Sequence, residues 1–236
     1  MFVARAALFD LDGTLVDTEP IYYEAYRIAV ESCGVCKYTE GFHVEHLLGR
    51  PETVGSETCV MLLSLPITPK ELLALRDVHV EPAFAVASPC VGAVSVVNML
   101  RSALPINRLA IATSSKVHLV AIKRKSPTVN SLLNAFGDAI MCSNSPAMAG
   151  RPGKPSPDLF LAAAAALGVP ASECVAFEDS IAGIQAAAAA GCFVVAVPDA
   201  RLPEGAAAKA GAHVVLLSLS DFTLDMVGLG KGEEVL

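Results

Sequence analysis

No stretch of this 236-residue chain reaches the roughly 18–20 strongly apolar residues that a membrane span needs, although 53% of its residues are hydrophobic. Alanine inflates that fraction, in runs at 162–166 and 186–190. Alanine is the best helix former, so these runs read as soluble helices. The start, MFVARAALFD, lacks a long apolar core followed by a small-residue cleavage site. No secretory leader is expected, and a cytoplasmic location is. Basic residues are scarce, 17 Lys and Arg against 24 Asp and Glu, for a net charge of −7. That sign argues against a nucleic-acid or anionic-membrane partner. It leaves room for a small phosphorylated substrate, because local cations or a metal override a global field. Internal repeats, low-complexity linkers and charge blocks are missing as well. There are seven cysteines, and only Cys33 and Cys36 have C-x-x-C spacing. No second pair completes a zinc site, and the odd, scattered set reads as reduced thiols.

What is present is a rhythm. Residues 3–9 form a nearly unbroken apolar run, as a strand buried on both faces should. Similar runs recur at 109–113 (LAIAT), 139–142 (AIMC), 174–178 (CVAFE), 192–197 (CFVVAV) and 213–218 (HVVLLS). Helical stretches lie between most of them. PDLFLAAAAALG has Ser156 as its expected N-cap, Pro157 in the first turn and Gly168 as its stop. SIAGIQAAAAAG ends at Gly191. Strand and helix in alternation predict an α/β fold, a doubly wound parallel sheet. Residues 18–88 break the rhythm and read as helical throughout. In EPIYYEAYRIAVESCG, the residues Ile21, Ala25, Ile28, Ala29 and Cys33 share one face. The expected division is a Rossmann-like core of residues 1–16 and 89–236 with an inserted α-helical cap at 17–88. The tail after Gly228 is expected to fray.

The polar residues fall where the strands end. ALFDLDGTLVD (residues 7–17) delivers Asp10 and Asp12, two residues apart, straight into a glycine. Thr113, Ser114 and Ser115 follow LAIA, Glu178 and Asp179 follow CVAF, and Lys154 lies in GKPSPD. Ligands of open α/β sheets bind beyond the carboxyl ends of the strands. Four acids brought together there repel one another and call for a divalent cation. Hard oxygen ligands favour Mg²⁺, which keeps several waters and often takes a ligand from a phosphate. A calcium loop fits worse, because the EF-hand needs its glycine sixth and a glutamate twelfth, whereas Gly13 is fourth from Asp10.

DLDGTLVD, ATSS, GKPSPD and FEDS, in that order between residues 10 and 180, together resemble the haloacid-dehalogenase-like (HAD) hydrolases. The helical insertion resembles one cap type of that superfamily. The stretch GKPSPDLFLAAA…FEDSIAGIQAAAAAGCFVVAVPD is similar to the pseudouridine-5'-phosphatase and β-phosphoglucomutase-like branch. The resemblance implies a phosphatase of small phosphomonoesters. Asp10 would be the nucleophile and Asp12 the general acid, then base. Asp10, the Asp12 carbonyl, Asp179 and Glu178, direct or through water, would hold Mg²⁺. Thr113, Ser114 and Lys154 would grip the phosphoryl group, with Lys154 also neutralising Asp10. Arg50, in the insertion, is the candidate specificity residue. Mutases of the branch carry a histidine twelve residues after the nucleophile, where this chain has Tyr22, so hydrolysis is expected over phosphoryl retention. A non-catalytic ester binder is the other alternative, but it would have no use for Asp12. His43 and His46 are expected on a solvated face. The expected assembly is a monomer or weak homodimer.

Overall fold

A computed structural model describes residues 2–48, 50 and 52–230. The chain enters through β1 (Ala6–Phe9) and then runs through α1 (Glu19–Ser32), α2 (Glu40–His46), α3 (Glu52–Leu63) and α4 (Pro69–Phe84). It returns through α5 (Ala93–Ala103), β2 (Leu109–Thr113), α6 (Val117–Lys123), α7 (Pro127–Leu133) and β3 (Ile140–Cys142). The last part comprises α8 (Asp158–Ala166), β4 (Cys174–Glu178), α9 (Ile181–Ala189), β5 (Phe193–Ala196), α10 (Ala206–Ala210) and β6 (Val214–Val215). All the strand pairings are parallel, in the order β3-β2-β1-β4-β5-β6. The six expected strands are all found. The first is shorter than its apolar run, because the residues before it pair outside the sheet. Ala4 N–H, for instance, donates to the Val227 carbonyl at 2.9 Å.

The period-2 geometry of the strands sorts the core into two layers. Ala7 and Phe9 of β1 face a layer with Phe177, Ile111, Leu100 and Phe136. Phe9 and Phe177, directly paired across β1 and β4, stack at 4.5 Å. Ala6 and Leu8 face the other layer, where α8 and α9 bury Ala162, Ala163, Ala186 and Ala187. Small side chains let those two helices approach the sheet closely, which explains the alanine runs in tertiary terms.

Several local expectations are corrected. The N-cap position of α8 is Pro157, not Ser156; the Ser156 hydroxyl instead donates to Asp158 Oδ2 at 2.5 Å. On α1 the buried residues are Ala25, Tyr26, Ala29 and Val30, a stripe displaced from the expected one because Tyr26 buries its ring while its hydroxyl meets Arg76. His43 is buried, not on a solvated face: Tyr38 Oη lies 2.5 Å from its Nδ1 and Glu19 Oε1 lies 2.6 Å from its Nε2. Residues 228–230 pack back on the chain, with Leu229 against the core; the rest of the tail lies outside the described residues. The strands leading into and out of α1–α4 pair as a short neck. Asp17 N–H donates to the Ser88 carbonyl and Cys90 N–H to the Leu15 carbonyl, each at 2.9 Å.

Candidate active site

With the order 3-2-1-4, the chain leaves β1 in one direction and β4 in the other, opening a crevice beyond their carboxyl ends. Asp10 stands at that end of β1. The loop then turns at Gly13, whose φ of +83° is left-handed. A Cβ on Gly13 would lie 2.3 Å from Asp179 Oδ2, so the glycine lets the β1 loop and the β4 loop touch. Buried Thr14 seals the contact, donating its hydroxyl to Asp179 Oδ1 at 2.9 Å.

Lys154, from the turn before α8, ion-pairs with both Asp10 and Glu178. Glu178 is completely buried and its oxygens are well occupied. Oε1 meets Lys154 at 2.5 Å; Oε2 accepts from the Asp179 and Ser180 amides at 3.0 and 2.9 Å and from the Ser180 hydroxyl at 3.1 Å. The carboxylate fits there because Gly183, in the first turn of α9, has no side chain: a Cβ would fall 1.6 Å from Glu178 Oε1.

Asp12 has different partners. Lys123 Nζ lies 2.5 Å from its Oδ1. The Ser115 hydroxyl donates to its Oδ2 at 2.7 Å, and Thr113 reaches the same oxygen at 3.4 Å. Thr113 is fully buried and its Oγ1 also accepts from the Ser115 amide at 3.0 Å. Ser114, the next residue, is exposed and faces the cavity.

Burial is the largest influence on Asp10, Asp12 and Asp179, and the neighbours decide the outcome. Burial pushes Asp10 up to about 7; Glu178 and Asp12 add to the rise and Lys154 opposes it. Asp179, beside Glu178 and Asp10, is driven well above the carboxylate range. Asp12 is also buried, yet Lys123, Ser115 and Thr18 outweigh desolvation and hold it below its ordinary value. Burial works against the Lys154 ammonium, but Asp10 and Glu178 raise its proton affinity above that of a free lysine.

A cavity of about 310 Å³ opens beside these groups. Asp10, Asp12, Ser114, Lys154 and Asp179 line it from the strand ends; Glu19, Tyr22, Arg50 and Arg76 line it from the helices. Buried Arg76 pairs with Glu52 and Asp77 and packs over the rings of Tyr22 and Tyr26, 5.5 and 5.1 Å from their centroids. Arg50 sits at the rim, donates to the Glu45 carbonyl at 3.0 Å, and also lines an adjoining pocket between α2 and α9.

The expected site residues therefore converge, except that Arg50 lies at the edge and Thr113 turns toward Asp12. Sequence reasoning missed Arg76, Ser115 as a partner of Asp12, and above all Lys123. One signal was available for Lys123: it stands three residues after Val120, on the face of VHLVAIK that is buried.

When all four carboxyls are ionised, they exceed the two ammonium groups by two negative charges, and Asp179 has no ion-pair partner among the described residues. Among those residues no three His, Cys, Asp or Glu side chains form a cage. The donor set thus fits an open divalent site built on Asp10 and Asp179. It does not fit an all-protein one.

A profile of haloacid dehalogenase-like hydrolases matches residues 4–191. The chain belongs to this family of hydrolases. One relative is named a probable pseudouridine-5'-phosphatase, from Drosophila melanogaster; it is 33% identical over 227 residues, 94% of this chain and 93% of that protein. A phosphorylated carbohydrates phosphatase of Thermotoga maritima is 31% identical over 192 residues, 79% of this chain and 82% of its own. Among solved structures, a HAD family hydrolase of Deinococcus radiodurans R1 with bound phosphate and sodium superposes with a TM-score of 0.75 at 25% identity. That match covers 98% of this chain and all of the other. The HAD core is the Rossmann-like parallel sheet expected of the sequence, and no helix among the described residues is long and apolar enough to cross a membrane.

Proposed function

We propose that this HAD hydrolase is a Mg²⁺-dependent phosphatase of a small phosphomonoester, working through an aspartyl phosphate on Asp10. The observation that carries the reading is the division of labour beside the cavity: Lys154 serves Asp10, Lys123 serves Asp12, and Asp179 is left uncompensated. The Asp10 and Asp179 side chains and the Asp12 carbonyl would hold Mg²⁺, with Glu178, already engaged by Lys154 and two amides, reaching it through water. When bound, the ion offsets the acidic cluster and draws charge from the phosphoryl oxygens. In the first half, an Asp10 carboxylate oxygen attacks phosphorus and the bond to the ester oxygen breaks. Asp12 passes a proton to that departing oxygen. A substrate dianion close to Asp12 raises the carboxyl's proton affinity, which favours its acid form at that moment. In the second half Asp12 takes a proton from water, whose oxygen displaces phosphate from Asp10. Lys154 and Ser114 hold charge and position as the phosphoryl group moves, while Thr113, buried behind them, holds the Ser115 amide.

The segment 17–88 serves as cap and 1–16 with 89–236 as core; Glu19, Tyr22, Arg50 and Arg76 would face the alcohol part of the ester. Tyr22, where mutases of the branch carry histidine, favours hydrolysis over phosphoryl retention. A panel that spans nucleotide-like, sugar, polyol and flavin esters tests the reading. Phosphate release is measured with excess Mg²⁺ from pseudouridine 5'-phosphate, sugar phosphates, glycerol phosphate and flavin mononucleotide. Wild-type protein should turn over at least one of them. Asp10→Asn should abolish release while far-ultraviolet circular dichroism stays unchanged. Release at the wild-type rate by Asp10→Asn removes the nucleophile assignment, and binding without release identifies a mere binder.

A further inference from the structure

Lys123 is a buried charge that pairs with Asp12 but takes part in none of the bond-making or bond-breaking steps outlined above. It is the last residue of α6, has no solvent-exposed surface, and belongs to none of the four motif stretches. Burying an ammonium group costs several kcal/mol unless it is paired. An apolar side chain of similar volume would fill the same space without that cost. What the lysine adds is an ion pair and a hydrogen bond. Its Nζ lies 2.5 Å from Asp12 Oδ1 and donates to the Ser115 hydroxyl at 2.8 Å. That hydroxyl in turn donates to Asp12 Oδ2 at 2.7 Å. Oδ1 of Asp12 is thereby held by the ion pair, without a hydrogen bond, and Oδ2 by the serine hydroxyl that Lys123 itself engages. The far side of the ammonium rests on the ring of Phe84, 4.3 Å from its centroid, at the C-terminal end of α4.

We propose that Lys123 is the positioning residue for Asp12: it fixes the carboxyl in the orientation that serves the leaving oxygen, and its seat on Phe84 ties that orientation to helix α4. The inference rests on the phosphatase reading, in which Asp12 meets the leaving group. A residue that acts only on Asp12 should matter in proportion to how much help the leaving oxygen needs. An alkyl ester departs as a poor leaving group and needs the proton. A p-nitrophenyl ester departs as a stable anion and needs little.

The test is Lys123→Met, which keeps the length and apolar packing of the side chain and removes the ammonium. The parameter read is kcat/KM, which covers only the steps through leaving-group departure. On the best alkyl ester of the panel it should fall about 10- to 100-fold, the scale of a misplaced acid. On p-nitrophenyl phosphate it should change by less than about threefold, and inhibition by inorganic phosphate should be unaltered. Equal losses on the two esters would mean a general structural role, and no loss on either would mean that Asp12 orients itself; both overturn the proposal. Should Lys123→Met not fold, Ser115→Ala removes the hydroxyl shared by Lys123 and Asp12, and the same split is required of it. If wild-type protein releases no phosphate from any ester, the phosphatase reading falls and takes the inference with it. If it does and the split is missing, only the assignment of Lys123 falls.

Discussion

A single missing Cβ decides whether the two acidic loops can meet. Gly13 combines a left-handed φ of +83° with an approach of 2.3 Å between its would-be Cβ and Asp179 Oδ2. Gly13→Ala therefore carries a backbone cost of about 1–2 kcal/mol and also displaces Asp179 from Thr14. The expected outcome is a fall in stability of that size on urea unfolding, together with loss of phosphate release. Full activity would show that Asp179 needs no fixed place. Asp10 and Asp12 were legible from their spacing, since two carboxylates beside a glycine at a strand end have few structural uses. The lysine opposite Asp12 was not. Its place three residues after Val120 is the one local sign that sets Lys123 apart from Lys125, and the packing of α6 against α4 and the β1 loop is what buries it.

At the scale of elements, α4 is the piece that brings the helices to the site, because it carries Arg76 near its middle and Phe84 at its end. Its N-terminus is held by a capping box: Thr68 accepts from the Glu71 amide at 3.3 Å, and the Thr68 amide donates to Glu71 Oε2 at 2.8 Å. Thr68→Ala should cost about 1 kcal/mol of stability, read by urea unfolding. Turnover at saturating substrate should stay at the wild-type level, because the cap lies at the opposite end of α4 from Phe84. A large loss of turnover with unchanged stability would contradict this. The end of α9 was legible from the glycine at 191. The start of α8 was not: Ser156 has the chemistry of a cap, but its hydroxyl bonds Asp158 instead of a free amide.

For the molecule as a whole, the acidic crevice is a store of unfavourable charge. A carboxyl whose folded pKa is raised binds more protons folded than unfolded, so stability falls as pH rises through the window between the two values. For Asp10 that window runs from the ordinary carboxylate range to about 7, and Asp179 shifts in the same direction. Without added Mg²⁺ the protein should lose stability across that window. The ion competes with protons for the same oxygens, so the rise in Tm on adding Mg²⁺ should be larger at about pH 8 than at about pH 5. Thermal unfolding at the two pH values checks this. Asp179→Asn should remove most of the Mg²⁺ increment, and an increment that survives this change would place the ion elsewhere.

The parallel α/β core, the order of its strands along the chain, and the acids at the strand ends could all be read from the residues, because each depends on local periodicity and on where an apolar run stops. Tertiary structure alone decided the rest of the pairing between cations and carboxylates. Lys154 beside Asp10 was already implied by the family resemblance, but the structure added Glu178 to that lysine and carried Lys123 across from α6 to Asp12. Pairings of this kind join residues far apart in the chain, and burial sets their strength. Neither the partner nor the depth is written in the spacing of any one segment.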